Sequence, residues 1–363
     1  MSMENKEGPE KFSFLQEVIK EKPLNRKKLM HKAAGLAAAG ILFGAFASIS
    51  FCVFQPWVDE QLNAEEEITI PKDEEPEEHP QEAKAEEEER EPELTLENFE
   101  ELERAMYQVA AEANKSIVSV TSAGEDDNWT EEERKEGTGA CGVIMPSNSR
   151  EYLILTMGSA IKDAEQIQVT FGDGASCDAA VRKKDAVLGI AVLAVDRNQV
   201  SDSTKNQIQE AVLGNSNMTY KGDVVIALGS LFGYSKGMGY GIISSNKNTV
   251  SVADRVYRLL DTDIPASRQG SGVLFNIDGE VIGFTFAAEQ VTDESSTLRV
   301  LAVSDVKEEL EKLLNGNSVP YIGIVGTNVT DEIAEAQKLP KGIYIKEIEA
   351  DSPGMAAGVQ CGD

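Results

Sequence analysis

Histidine is nearly missing from this chain, which carries two in 363 residues, His31 and His79. Both lie in its N-terminal quarter, so imidazole acid–base chemistry is excluded from anything that folds further along. Basic residues are scarce as well: 34 Lys and Arg stand against 63 Asp and Glu, a net charge of -29. That balance excludes nucleic acid as a partner, because a phosphate backbone needs cations to displace its counterions. The four cysteines, Cys52, Cys141, Cys177 and Cys361, include no C-x-x-C pair, so neither a thiolate metal site nor a dithiol redox motif is expected.

Apolar residues make up 41% of the chain, enough for one or two ordinary cores. Ala33 to Phe54 is an uninterrupted run of 22 uncharged, mostly apolar residues, and at ~1.5 Å per helical residue it matches the ~30 Å hydrocarbon layer of a bilayer. Arg26, Lys27, Lys28 and Lys32 precede it and Asp59 and Glu60 follow. The positive-inside bias therefore puts the N-terminus in the cytoplasm and everything after Phe54 outside. A cleaved signal peptide with Ala45-Phe46-Ala47 at its cleavage site is the competing reading; the length of the run and of its basic lead favour an anchor. An outside location permits a Cys141–Cys177 disulfide, and two buried free thiols are the alternative.

Composition divides the chain into a cytoplasmic head (1–32), a transmembrane helix (33–54), an acidic disordered stalk (55–94), a main domain (95–316) and a C-terminal segment (317–363). Between Asp59 and Arg104 there are 21 acidic and 4 basic residues; such a stretch buries too little to offset the entropy of ordering it. Thr95 is placed as the N-cap of a helix whose Phe99, Leu102, Met106, Val109 and Ala110 recur at three- and four-residue steps. Twelve short β-branched runs follow between Ile117 and Val303, the pattern of an all-β domain. Ser304 and a Glu three residues beyond Asp305 suggest a capping box opening a helix over Asp305–Leu314.

The ordered series Gly137-Thr138-Gly139, Ile154-Leu155-Thr156, Ala191-Val192-Leu193, Leu213-Gly214-Asn215-Ser216, Gly229 to Gly233, Gly241-Ile242-Ile243-Ser244, Thr262-Asp263 and Gly279-Glu280-Val281-Ile282-Gly283 resembles the HtrA/Do family of trypsin-like serine proteases with a C-terminal PDZ domain. The resemblance runs from about residue 96 onward. It implies a mainly β fold: two six-stranded antiparallel barrels, here preceded by one transmembrane helix and followed by a partial PDZ domain. It also implies a homotrimer.

Such proteases need Ser, His and Asp in one cleft. Matched motif by motif, the histidine position falls at Ser159 and the aspartate position at Gly189, with Asp185 four residues away. The nucleophile position is Ser271 when counted forward from Thr262-Asp263, the reading preferred, or Gly270 when counted back from Asn276. No catalytic residue is therefore expected. Lys162, Lys183, Lys184, Lys221 and Lys236 are the amines a serine–lysine dyad would draw on, and none has a distinguishing spacing.

Tyr321-Ile322-Gly323-Ile324 resembles the carboxylate-binding loop of an HtrA-type PDZ domain, and Asp351 to Gly358 its following turn and short helix. That implies binding of polypeptides or protein C-termini. No cofactor and no metal are expected. The resulting expectation is a membrane-anchored extracytoplasmic pseudoprotease that binds polypeptides. The rivals are an active endopeptidase built around Ser271 and a structural envelope protein.

Overall fold

A computed structural model describes residues 67–73, 95–123, 139–162, 164–232, 236–267, 270–285 and 296–363, all within one compact unit, Glu66–Asp363. The expected cytoplasmic head, the apolar run 33–54 and both histidines lie outside the described residues. Among the described residues no helix is long and apolar enough to cross a membrane.

Helix α1 (Leu96–Ala113) begins at Thr95, whose hydroxyl accepts from Asn98 N–H as expected of an N-cap. Its apolar stripe is only half used: Ala110 and Ala113 are buried, whereas Leu96, Phe99 and Leu102 remain exposed. The chain then builds one antiparallel sheet from β1 (Ile117–Ala123), β2 (Ala140–Met145), β3 (Glu151–Met157), β4 (Gln166–Thr170), β5 (Ser176–Asp178), β6 (Ala180–Asp185) and β7 (Ile190–Asp196). Their order is β5-β4-β1-β2-β3-β7-β6. The second half contains β8 (Val224–Ser230), β9 (Gly237–Val252), β10 (Arg255–Pro265), β11 (Ser271–Phe275), β12 (Val281–Phe284) and β13 (Thr297–Ala302). These close into a barrel ordered β10-β13-β12-β11-β8-β9.

The expectation of two six-stranded barrels is thus met in the second half and corrected in the first. The first sheet has seven strands among the described residues and is not closed by hydrogen bonds. Its outermost strands, β5 and β6, are separated in sequence by Ala179 alone. Opposite edges joined by one residue force the sheet to curl until they meet there, so covalent continuity does what a ladder does in the other half.

Several strands in both halves, β2, β3, β7, β8, β11 and β12, are buried on both faces, and successive residues serve different cores. In β3, Tyr152 and Ile154 fill the first sheet's interior while Leu153 and Leu155 point to the seam between the halves. In β11, Leu274 fills the closed barrel while Val273 and Phe275 reach the same seam. This double burial explains why the strands read as near-continuous apolar runs.

Three further expectations are corrected. Helix α3 (Lys307–Leu314; α2 being the single turn Asp202–Lys205) has no side-chain cap, because the capping-box residues are engaged elsewhere. Ser304 exchanges hydrogen bonds with Ser216, and the Asp305 carboxylate accepts from Arg258 N–H at 2.7 Å and from its guanidinium. The runs Gly241–Ser244 and Thr249–Val252 belong to one strand, β9, with register shifts against β10 between them.

The third correction concerns the stalk, in which residues 67–73 form a strap on the folded body. Ile68 and Ile70 alternate into the core. The Asn315 side chain both donates to Ile68 C=O and accepts from Ile68 N–H, and Glu311 accepts from Ile70 N–H. Lys307 on α3 is nearly buried, and its ammonium meets Asp73 at 2.7 Å. Removing one partner of a buried ion pair strands the other. We therefore expect Asp73→Ala to lower the unfolding free energy by about 3 kcal/mol, and Lys72→Ala, at an exposed neighbour, to leave it within ~0.5 kcal/mol; urea titration of the two variants reads both.

Candidate active site and peptide loop

The ends of β3 and β7 bring together Ser159 and Gly189, the first two positions matched to a triad. Met157 pairs with Ile190, and just beyond, Gly158 N–H donates to Gly189 C=O at 2.7 Å. Ser159 sits in the short 3-10 turn Gly158–Ile161 with its side chain exposed. Gly189 has φ +63°, a left-handed conformation that glycine adopts without cost. Asp185 accepts from Leu188 N–H at 2.8 Å and so caps its own turn.

Ser271 opens β11 opposite Ser230 of β8 and is 3% exposed. Its hydroxyl accepts from Cys141 N–H at 2.8 Å, while Thr156 Oγ1 donates to Cys141 C=O at 2.9 Å. Two hydroxyls, one from each half, thus hold the backbone of Cys141 on the seam. Gly270 precedes the strand, and a Cβ built there would lie 2.1 Å from Leu231 O, so this backbone has no room for a serine. Its N–H, the donor an oxyanion hole takes from the nucleophile residue, goes instead to Ser267 C=O at 2.9 Å.

The cavity between the two halves here is small, about 20 Å³, lined by Cys141, Thr156, Met157, Ile190, Gly272 and Thr285 among others. That is room for about one water. A larger cavity of about 180 Å³ also borders Cys141, with Phe171, Gly229, Ser230 and Lys236 in its lining. Ser271 lines neither. Of the five lysines considered for a dyad, Lys162, Lys184, Lys221 and Lys236 are exposed, and Lys184 donates to Ile161 C=O. Sequence reasoning offered Cys141 as a buried free thiol without placing it at this seam; its burial pushes the thiol up to about 12. Cys141 and Cys177 are both free and buried, and they belong to different cores.

The second candidate site lies in the C-terminal segment, where β14 (Ile324–Val329) pairs with β15 (Gly342–Ile348), with α4 (Asp331–Gln337) between them and α5 (Pro353–Ala356) following. Tyr321 and Ile322 are exposed. Gly323 has φ +85°, and a Cβ there would lie 2.3 Å from that of Ser352, so both backbone angle and space demand glycine. The N–H groups of Ile322, Gly323 and Ile324 all point at the carboxylate of Asp254, at 2.5, 2.9 and 3.1 Å. Asp254 went unnoticed in the sequence. The one available signal was an Asp in the tight Ala253-Asp254 turn between two β runs, where its φ is +65°.

The curled sheet packed against a closed six-stranded barrel is the architecture of a trypsin-like peptidase, and a family model described as "Trypsin-like peptidase domain" matches residues 137–284. Over this region the chain is similar to HtrA-like serine proteases. It is 27% identical over 271 residues to the serine protease Do-like HtrA of Bacillus subtilis, covering 70% of this chain and 58% of that one. A probable periplasmic serine endoprotease DegP-like of Halomonas elongata is 30% identical, covering 64% of this chain and 48% of its own. For the periplasmic pH-dependent serine endoprotease DegQ of Escherichia coli the identity is 27%, with 63% and 49% covered. The chain spans about half the length of the curated relatives it matches. The HtrA-type protease AlgW with a tripeptide has the same fold, with a TM-score of 0.52 at 21% identity over 71% of this chain and 81% of that one.

Two outcomes follow for the seam. Ser271→Ala leaves the buried Cys141 N–H without an acceptor and is expected to cost about 1–3 kcal/mol, read by chemical unfolding. Iodoacetamide at pH 8, followed by peptide mass spectrometry, should modify the exposed Cys361 in the native protein and reach Cys141 and Cys177 only after denaturant is added.

Proposed function

We propose that this chain is a membrane-anchored extracytoplasmic pseudoprotease that binds polypeptides in protein quality control or regulation without hydrolysing peptide bonds. The observation that carries the proposal is the missing base: the two histidines of the whole chain, at positions 31 and 79, lie far in sequence from the peptidase-like region. No serine hydroxyl near neutral pH takes the proton that an imidazole would take. The buried Ser271, committed to Cys141 N–H, and the side-chain-free Gly270 support the same reading from the nucleophile's side.

Polypeptide binding is supported by the converging N–H groups of the Tyr321–Ile324 loop, which we read as the opening of a PDZ domain. The HtrA-type protease AlgW, of the same fold, was solved with a decapeptide and with a tripeptide. The anchor is assigned to Ala33 through Phe54, and the periplasmic relatives support an extracytoplasmic main domain. A homotrimer belongs to the same proposal and would give the exposed Leu96, Phe99 and Leu102 stripe of α1 a surface to bury.

The rival reading is an active endopeptidase with a displaced catalytic set, favoured by the protease activity in the names of the relatives. A fluorophosphonate probe applied to the full chain, together with casein digestion, separates the two. No labelling and no cleavage are expected. Labelling or cleavage that disappears in Ser271→Ala would refute the pseudoprotease assignment.

A further inference from the structure

We propose that Asp254 is an internal ligand of the Tyr321–Ile324 loop, a stand-in for a polypeptide's C-terminal residue that any incoming C-terminus must displace. The proposal rests on reading that loop as one that captures carboxylates, and it adds what holds the loop when no peptide does.

A C-terminal residue captured by β-augmentation makes two kinds of contact at once: its carboxylate enters a nest of backbone N–H groups, and its own N–H pairs with the adjoining strand. Asp254 makes both. Its Oδ2 takes the N–H groups of Ile322 and Gly323, and its Oδ1 takes that of Ile324. Its own backbone N–H donates to Ile324 C=O at 2.6 Å. Three donors and one acceptor of the loop are thereby consumed by one residue, 68 to 70 positions away in sequence. A second carboxylate has no donors left there and would meet the negative charge of the first.

Neither side of this contact is slack. Asp254 projects from the tight turn joining β9 to β10, where Val252 pairs with Arg255. It holds φ +65°, a conformation that Asp tolerates better than most residues. Next to it, Arg255 is ion-paired with the buried Glu309 of α3, which ties the turn to the barrel's helical flank. The loop is fixed from behind, Gly354 N–H donating to Ile322 C=O at 2.7 Å and Glu349 N–H to Gly323 C=O at 2.9 Å. A cavity of about 200 Å³ adjoins the contact, with Leu188, Tyr257, Val319 and Tyr321 in its lining.

Occupancy of the loop by a peptide is then tied to release of a turn of the closed barrel. While Asp254 is seated, the measured affinity for a free C-terminus falls in proportion to the fraction of loops left open.

The test compares the full 363-residue wild-type chain with Asp254→Gly, which suits the left-handed turn and removes the carboxylate, and with Asp254→Asn, which keeps the side-chain shape and removes the charge. The probes are a fluorescein-labelled pool of random decapeptides ending in Val, Leu or Phe with a free carboxylate, and the same pool amidated at its C-terminus. We expect Asp254→Gly to bind the free-acid pool about tenfold tighter than wild type or better, Asp254→Asn to fall between, and the amidated pool to gain nothing. In the same samples, hydrogen exchange at the Ile322, Gly323 and Ile324 amides should accelerate about tenfold or more in Asp254→Gly, and the free-acid pool should slow it again. Equal free-acid affinity in wild type and Asp254→Gly, or unchanged protection of those three amides, overturns the internal ligand while leaving the loop's reading intact. If Asp254→Gly binds both pools alike, or neither, the loop does not capture carboxylates and both readings fall.

Discussion

Everything in this molecule is arranged around a seam in which strands apolar on both faces bring two halves together, and at its polar centre a serine hydroxyl holds a backbone amide. The Ser271–Cys141 hydrogen bond at 2.8 Å joins β11 of the barrel to β2 of the curled sheet. Thr156 donates to the carbonyl of the same residue, in the next peptide group. A buried amide without an acceptor is costly, so the hydroxyl is bound to a structural task wherever the seam is closed. On the proposed pseudoprotease reading, the absence of a nearby imidazole and this structural role of Ser271 are two aspects of one arrangement.

Much of the fold was legible because its strands are buried on two sides and therefore carry runs such as Tyr152 to Thr156 and Ile190 to Val195 that no surface segment would keep. The elements that escaped notice lack that signature. β6, with Arg182, Lys183, Lys184 and Asp185, is an edge strand, where charge is tolerated and discourages pairing with other chains. The strap at residues 67–73 hides two buried isoleucines in an acidic neighbourhood, and the partners of Ile68, Ile70 and Asp73, namely Asn315, Glu311 and Lys307, lie more than 230 positions away. Composition averages over such a segment and misses the alternation.

At the candidate sites the split is similar. The positions matched to a catalytic triad, Ser159, Gly189 and Ser271 or Gly270, could be assigned from motif order, each beside a recognisable run. What those positions are engaged in could not, since the partners of Ser271 and of the Tyr321–Ile324 loop come from distant strands and turns. Asp254 is an ordinary turn residue until the chain folds three N–H groups of residues 322–324 onto it.

The strap carries a consequence for how the protein survives cutting. Because Glu67–Asp73 is seated on α3 through Ile68, Ile70 and the Asp73–Lys307 pair, a protease that nicks the backbone anywhere in 74–94 severs a covalent link without removing what keeps the two pieces together. The fragments would migrate as one particle in native separation and as two bands after denaturation.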